Sequence, residues 1–453
     1  MRSKDKMING FSKLSKTEKL TWLAKNFLTS NPIEVVREFA SFWHTNVEAQ
    51  HLFDGLSENT VSNFYLPYGL APNFLVNNKT YCVPMVIEES SVVAAASSGA
   101  KFWYERGGFK AKVLGVTKTG HVHFYWPGTD PVKMFSFFKD IKPKLLNDVK
   151  DLTENMEKRG GGLTNLSLLY KPEIEPGYYQ LKADFETCDA MGANFINSVL
   201  ERLALLLDEA VEMYPEFEIH EQEVQIIMAI LSNYTPDCLV HAWVECAVSD
   251  LGNFDDLNAE EFAQKFVRAL NIARNDVYRA TTHNKGIYNG IDAVILATGN
   301  DFRAIEACGH AYAAKDGQYR SLSSAKIEDN KFTFEIKLPL AIGTIGGLTK
   351  IHPLARISLE MLGNPSATEL MQVIASVGLA QNFAAVRSLI TTGIQQGHMK
   401  MHLGNILTTL QVSFHEREQA LIHFADKIVS YKAVRQFIDA IRQSPTHHDL
   451  MLG

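Results

Sequence analysis

Long apolar runs, paired cysteines and an excess of positive charge are all missing from this chain of 453 residues. No run of roughly 18 consecutive apolar residues occurs, so the sequence alone suggests no membrane span. The five cysteines, Cys82, Cys188, Cys238, Cys246 and Cys308, are odd in number and dispersed, with no Cys-x-x-Cys pair. They read as reduced thiols of a cytosolic protein rather than as a disulfide framework. With 44 basic and 51 acidic residues the formal net charge is −7, which argues against a general nucleic-acid binder while leaving room for a local basic patch. The basic N-terminus, Met1 to Lys6, lacks the apolar core of a signal peptide. No cluster of ligand residues has the spacing of a metal site.

What is present is an ordinary globular composition, 46% hydrophobic and 21% charged, in a chain long enough for about three domains. One stretch organises it. Thr281-Thr282-His283-Asn284-Lys285-Gly286-Ile287-Tyr288-Asn289-Gly290-Ile291-Asp292 continues through an apolar run to Gly299-Asn300-Asp301-Phe302-Arg303. An ammonium, carboxamides and carboxylates thus surround three glycines. Glycine admits close backbone approach to a ligand, Asn284 and Asn289 offer donors and acceptors, and Lys285 supplies a compact positive charge. A glycine-rich turn with a solvated lysine is the plain alternative. The return of polar residues beyond the apolar run argues against it.

Upstream, Ser15 and Glu18 have the spacing of a capping box before a helix bearing Leu20, Leu23 and Ala24 on one face. After Glu58-Asn59 an extended segment runs from Phe64 to Asn73. A strand-like run, Tyr81 to Ile87, ends at Glu88-Glu89, and an alanine-rich helix follows from Ser90. Carboxylates at such a junction can simply satisfy helix donors. The small side chains of the first turns also allow a ligand or a second helix to come close.

From Lys110 to Ile230 the order is a β-rich run (113–125), a helical one (132–158), strands near 165–170 and 178–186, a helix from Asn194, and a strand at 224–231. This β-α-β-β-α-β order predicts a ferredoxin-like unit inserted into a larger domain. Its second helix begins at Asp189-Ala190-Met191-Gly192-Ala193-Asn194. Free N–H groups and the helix dipole there suit a pyrophosphate, and an aspartate cap is the alternative. The pattern is not Gly-x-Gly-x-x-Gly, so a Rossmann reading fails. Downstream, Gly343 to Thr349 reads as close packing beside the site and His352 as structural. Ser366 and Glu369 cap a helix, and another begins at 379–382 and ends at Gly393. His398 follows a glycine in Gln395-Gln396-Gly397-His398-Met399, ahead of amphipathic helices near 416–431 and 433–441.

Taken in order, these motifs resemble those of class II, bacterial-type 3-hydroxy-3-methylglutaryl-CoA (HMG-CoA) reductases over nearly the whole chain. The resemblance implies an α+β fold. A large HMG-CoA-binding domain (1–112 and 234–392) would carry an inserted ferredoxin-like NAD(P)-binding domain (113–233), followed by a helical C-terminal flap (393–453). It implies Glu89, Lys285, Asp301 and His398 as catalytic residues, and Ser91, Arg279, Thr282 and Asn289 as substrate-binding ones. Asp189, Met191, Gly192, Asn194, Asn233 and Thr153 would meet the cofactor. Arg279, six residues before Lys285, would hold the free carboxylate of the HMG group, as a guanidinium fork can. The family's Glu-Asn-x-x-Gly motif appears as Glu58-Asn59 with Ser62 in place of the glycine, so the local backbone need not match. The resemblance further implies NADPH or NADH as cofactor, no metal, a homodimer or higher homo-oligomer with sites at the subunit interface, and a soluble cytoplasmic protein without nucleic-acid or membrane partners.

In the implied chemistry, Lys285 stabilises the hemithioacetal oxyanion and protonated His398 neutralises the CoA thiolate. Glu89 gives a proton to the aldehyde oxygen, with Asp301 between Lys285 and Glu89. NADH-using members have an aspartate seven residues before a Gly-Gly-Gly triplet. Here the triplet is Gly160-Gly161-Gly162 and that position is Thr153, which tilts the choice toward NADPH or dual use. A silent CoA-binding homologue would lack one of the four catalytic residues, and a reductase of another acyl-CoA would be expected to lack Arg279.

Overall fold

Capping and hydrophobic periodicity set most element boundaries in the computed structural model, which describes residues 6–254, 256–391, 403–404, 406–424, 427 and 429–443. The chain divides into two compact units, Met1–Pro67 and Tyr68–Gly453. The first contains α1 (Lys16–Phe27), α2 (Pro32–Ser41) and α3 (Val47–Asp54). The Ser15/Glu18 capping box forms as its spacing predicts, with Leu20 and Ala24 buried. Ser62 donates to the Phe39 carbonyl at 2.7 Å. The serine therefore fills a structural role with no left-handed backbone.

The second unit opens with a hairpin of β1 (Tyr68–Val76) and β2 (Lys79–Val86). Its turn is Asn77-Asn78, both at positive φ, a conformation that suits the twist of paired strands. Then come α4 (Val92–Tyr104), β3 (Lys110–Val113), β4 (Lys118–Tyr125), α5 (Pro131–Asp148), α6 (Lys150–Glu157), β5 (Gly162–Tyr170), β6 (Tyr178–Glu186), α7 (Ala193–Glu212) and β7 (Gln225–Leu231). After them follow β8 (Leu239–Ala247), α8 (Ala259–Asn275), α9 (Val277–Ala297), α10 (Phe302–Ala313), β9 (Ser323–Glu328) and β10 (Lys331–Pro339). The series continues with α11 (Leu348–Ile351), α12 (Pro353–Met361) and α13 (Ala367–Ile390). Helices Phe414–His423 and Tyr431–Gln443 follow, sharing a small apolar cluster with Leu403, Ile406 and Leu407. All strand pairs are antiparallel.

The β-rich run read as continuous from Val113 to Tyr125 is broken, because its two parts join different sheets. β3 lies in the order β3-β8-β10-β9 and β4 in the order β5-β6-β4-β7. The second sheet, with α5, α6 and α7, follows the β-α-β-β-α-β sequence, and buries its own core of Val122, Phe124, Phe137, Leu181, Phe185, Leu200 and Leu203. The chain leaves and returns side by side. Leu114 donates to the Leu239 carbonyl at 2.7 Å, and Leu239 to the Gly115 carbonyl at 3.0 Å.

The helix read as two, one capped by Ser366 and another from Leu379, is the single helix α13. Its apolar residues lie on every face, so periodicity marks no break. By length and composition α13 could cross a membrane. Here it is the central core helix, with Leu370, Val373, Ile374, Val377, Leu379 and Phe383 all fully buried. Its neighbours approach at glycine distance. A Cβ on Gly99 of α4 would overlap the Ala380 carbonyl, and one on Gly290 of α9 would lie 2.9 Å from the Gln381 Cβ. His352 caps α12, accepting from the Ala355 N–H, which is a structural role as read.

Gly99→Ala should lower stability in urea denaturation by about 1–3 kcal/mol, the usual cost of overpacking. Gly286→Ala, in the same glycine-bearing α9 that packs on α13, has nothing within 4 Å of the new methyl, and should instead gain about 0.5–1 kcal/mol from helix propensity.

Candidate active site

α9 is a 21-residue helix started by Asp276, whose carboxylate accepts from the Tyr278 N–H at 2.8 Å and the Arg279 N–H at 3.3 Å. The segment with the form of a glycine-rich turn is therefore helical. Its buried face carries Ala280, His283, Asn284, Ile287, Tyr288, Ile291 and Val294. Intervals of three and four residues align Thr282, Lys285 and Asn289 on the opposite stripe. Asn284 does not face a ligand. It is fully buried, donating to the Arg320 carbonyl at 2.9 Å and accepting from the Leu322 N–H at 3.0 Å. His283 shares a buried chain with Ser323 and Asn382, at 2.7 Å for each bond. Burial, with the nearby Arg279 charge, takes His283 down to about 3, so it is neutral.

Glu89 comes from the turn between β2 and α4. There Ser91 adopts φ 76 without capping the helix through its side chain, a left-handed conformation that costs a non-glycine residue energy. That bend brings the Glu89 carboxylate to α9, where it accepts from Lys285 Nζ at 2.5 Å and Asn289 Nδ2 at 3.2 Å. Side-chain exposures of 60% for Lys285 and 40% for Glu89 keep both groups open to a ligand. Such an exposed pair adds at most about 1 kcal/mol of stability. Thr282 is exposed and its hydroxyl donates to the Tyr278 carbonyl at 3.2 Å. Arg279 is half-buried on the first turn; burial lowers its pKa, yet a guanidinium stays charged.

Asp301 is not interposed between Lys285 and Glu89, which touch directly. It caps α10, accepting from the Arg303 and Ala304 N–H groups, and pairs with the Arg303 guanidinium at 3.0 Å. It does line a cleft of about 280 Å³ with Lys118, Met191, Ser232 and Asn233. A second cleft, about 240 Å³, is lined by Met191, Gly192, Asn194, Asn300 and the Gly346-Gly347 loop. Gly192 starts α7 at φ 86, and no side chain among the described residues caps this helix, which leaves its first N–H groups without a side-chain cap there. Asp189 is not that cap. Its carboxylate accepts from the Ala367 N–H at the start of α13, 2.7 Å away, while its carbonyl takes the Thr344 N–H at 2.8 Å. The Gly343 segment is packed close, as read: a Cβ there would overlap the Met191 backbone.

Thr153 departs from expectation. It is 1% exposed and donates to Glu157 at 2.6 Å, because it falls on the inner face of α6. In this position it presents nothing to a ligand. His398 lies outside the described residues. A roomier cleft of about 410 Å³, at Arg106, Lys110, Glu245 and Lys331, contains none of the expected site residues.

The hydroxymethylglutaryl-coenzyme A reductase profile matches residues 17–403. The chain belongs to that family. It is 35% identical over 413 residues to the 3-hydroxy-3-methylglutaryl-coenzyme A reductase of Archaeoglobus fulgidus, covering 89% of this chain and 87% of that one. It is 34% identical to a probable reductase of Borreliella burgdorferi over 405 residues, 86% of this chain and 88% of the relative. The class II reductase of Streptococcus pneumoniae, solved bound to NADPH in open conformations, superposes with a TM-score of 0.69 at 40% identity, covering 84% of this chain and 99% of that one. The chain is accordingly an NAD(P)H-dependent oxidoreductase that reduces HMG-CoA to mevalonate, on an α+β fold with antiparallel sheets.

Sequence reasoning missed two groups of this reductase. Lys118 was detectable, since strand alternation places it on the inward face with Gly120, Val122 and Phe124. Asp292, three residues beyond Asn289, was not, because its surroundings come from α10. Burial first, and then hydrogen bonding to the Glu306 carboxyl, raise the Asp292 pKa well above the usual carboxylate range. A carboxyl protonated in the fold and ionised when unfolded makes stability fall as pH rises between its two pKa values. This group's contribution to stability should therefore shrink as pH rises above the ordinary carboxylate range, by at most about 1.4 kcal/mol per pH unit. Asp292→Asn removes that contribution, so in urea titrations the variant's stability should rise relative to wild type as pH increases.

Proposed function

We propose that the β2–α4 turn and α9 form the reaction centre for both reductions of HMG-CoA, with Glu89, Lys285, Asp301 and His398 as its catalytic residues. The observation that carries this reading is the Lys285–Glu89–Asn289 contact, in which two elements present an ammonium and a carboxylate to solvent. Lys285 faces the substrate carbonyl and stabilises the oxyanion of the hemithioacetal. His398 donates a proton to the departing CoA thiolate, and Glu89 donates one to the aldehyde oxygen formed by that collapse. Asp301 is the second carboxylate of the centre. Its bond to Arg303, whose side chain is 71% exposed, is of the weak surface kind that exchanges partners easily. Arg279, with no ion pair among the described residues, takes the free carboxylate of the HMG group in a bidentate fork, helped by Ser91, Thr282 and Asn289.

The uncapped start of α7, opened by the left-handed Gly192, fits the pyrophosphate of a nicotinamide dinucleotide. Met191, Gly192 and Asn194 hold that end, and Asn233 lies beside Asp301. When bound, the nicotinamide supplies one hydride for each reduction. NADPH is the favoured cofactor, in line with the pneumococcal structure bound to it. Thr153 no longer bears on the choice, whereas the exposed Arg159 could meet a 2′-phosphate. We assign residues 1–112 and 234–392 to the substrate domain, 113–233 to the cofactor domain and 393–453 to the flap, in a cytoplasmic homodimer.

Purified protein should consume NADPH only when HMG-CoA is added, read as loss of absorbance. Lys285→Ala should cut that rate by about 10²–10³, the usual loss for one oxyanion donor, with circular dichroism unchanged. Residual activity within tenfold of wild type would exclude Lys285 from this role. A kcat/KM preference for NADH above about tenfold, roughly 1.4 kcal/mol, would overturn the choice of NADPH.

A further inference from the structure

Lys118 opens β4 on its inward face, opposite Phe185 of β6, and is only 5% exposed. Buried lysines are rare because an ammonium removed from water must recover its hydrogen bonds. Here it does. Nζ donates to Thr187 Oγ1 at 2.6 Å, to the Ala190 carbonyl at 2.8 Å and to the Met191 carbonyl at 3.0 Å. These three bonds use all three ammonium protons. Thr187 Oγ1 in turn donates to the Ala190 carbonyl at 2.7 Å, and the Ala190 N–H returns to the Thr187 carbonyl at 3.0 Å. All the partners lie in one turn, Thr187 to Met191, which delivers the chain to Gly192 and α7. No carboxylate pairs with Lys118 among the described residues. Burial accordingly pushes its pKa down.

The geometry points to Lys118 as a positioning residue of the nucleotide site. By drawing the Ala190 and Met191 carbonyls beneath the turn, it leaves the first N–H groups of α7 directed at the cleft, toward the pyrophosphate of a nicotinamide dinucleotide. The assignment rests on the reading of the α7 start as the cofactor site. A second effect acts in the same direction. The ammonium lies behind the positive end of the helix dipole, and the two like charges repel until an anion arrives between them and the solvent. A carboxylate salt-bridged to Lys118 would cancel this attraction, and none is present among the described residues.

Lys118→Met keeps an unbranched side chain one atom shorter and removes the charge and all three donors. Titration with NADPH by fluorescence, and with ADP-ribose by calorimetry, should show both dissociation constants weakened about thirtyfold or more. HMG-CoA affinity should stay within about twofold of wild type, since its groups lie on α9. In turnover, KM for NADPH should rise while kcat at saturating cofactor changes little, a split that general destabilisation would not produce. A folded Lys118→Met protein that binds NADPH and ADP-ribose as wild type does would overturn the assignment. If that variant does not fold, Thr187→Val decides, because it removes one leg of the cradle. It should weaken NADPH about three- to tenfold with Thr187→Ser restoring affinity, and unchanged binding would again overturn the role of Lys118. Failure of wild type itself to bind ADP-ribose or NADPH would instead remove the nucleotide reading of α7.

Discussion

Close approach to α13 is the constraint on which the rest of the large core depends. α4 meets this helix at Gly99 and α9 meets it at Gly290, each at a separation that leaves no room for a side chain. Protein interiors are packed densely enough that such contacts fix relative position to a fraction of an ångström. The two helices backed by α13 are those that deliver Glu89 and Lys285. A 2.5 Å contact between residues 196 positions apart is thus a consequence of backbone packing farther along both helices. Sites mounted on rigid elements hold their geometry better than sites on loops. Here only the Glu89 side comes from a turn, and that turn is pinned by a left-handed Ser91.

Much of the small sheet was legible because two periodicities alternate cleanly along 118–231. Period-2 strands such as Tyr178–Glu186 stand against the 3.6-period face of Ile196, Val199, Leu200 and Leu203. The capping boxes at Ser15 and Ser366 were legible for a local reason, since both partners lie within four residues. α13 was misread as two helices because a segment buried on all sides has no polar face to set its phase. α9 was obscured by its glycines, which suggest a turn until α13 is known to press against one of them.

The candidate site divides in the same way. Lys285 and Asn289 follow from spacing on one helix, whereas their contact with Glu89 depends on two distant segments meeting. Thr153 was misplaced because it lies in a charged stretch with Asp151 and Glu154, and only the three-dimensional phase of α6 turns it inward. Asp301 was expected at Lys285 and is found capping α10, a use that any aspartate ahead of a helix invites. Lys118 is the opposite case, a lysine on an apolar face whose meaning appears only when the turn beneath α7 is seen.

The exposure of the Lys285–Glu89 pair has one more consequence. A buried pair would lock each charge to the other, and separating it would cost several kcal/mol. In a solvated pair, water takes over whichever partner is released, and the exchange costs at most about 1 kcal/mol. The pair can therefore be self-neutralised at rest and still yield either charge to another partner. Its charges are stored in a form that is cheap to redistribute without the fold having to open.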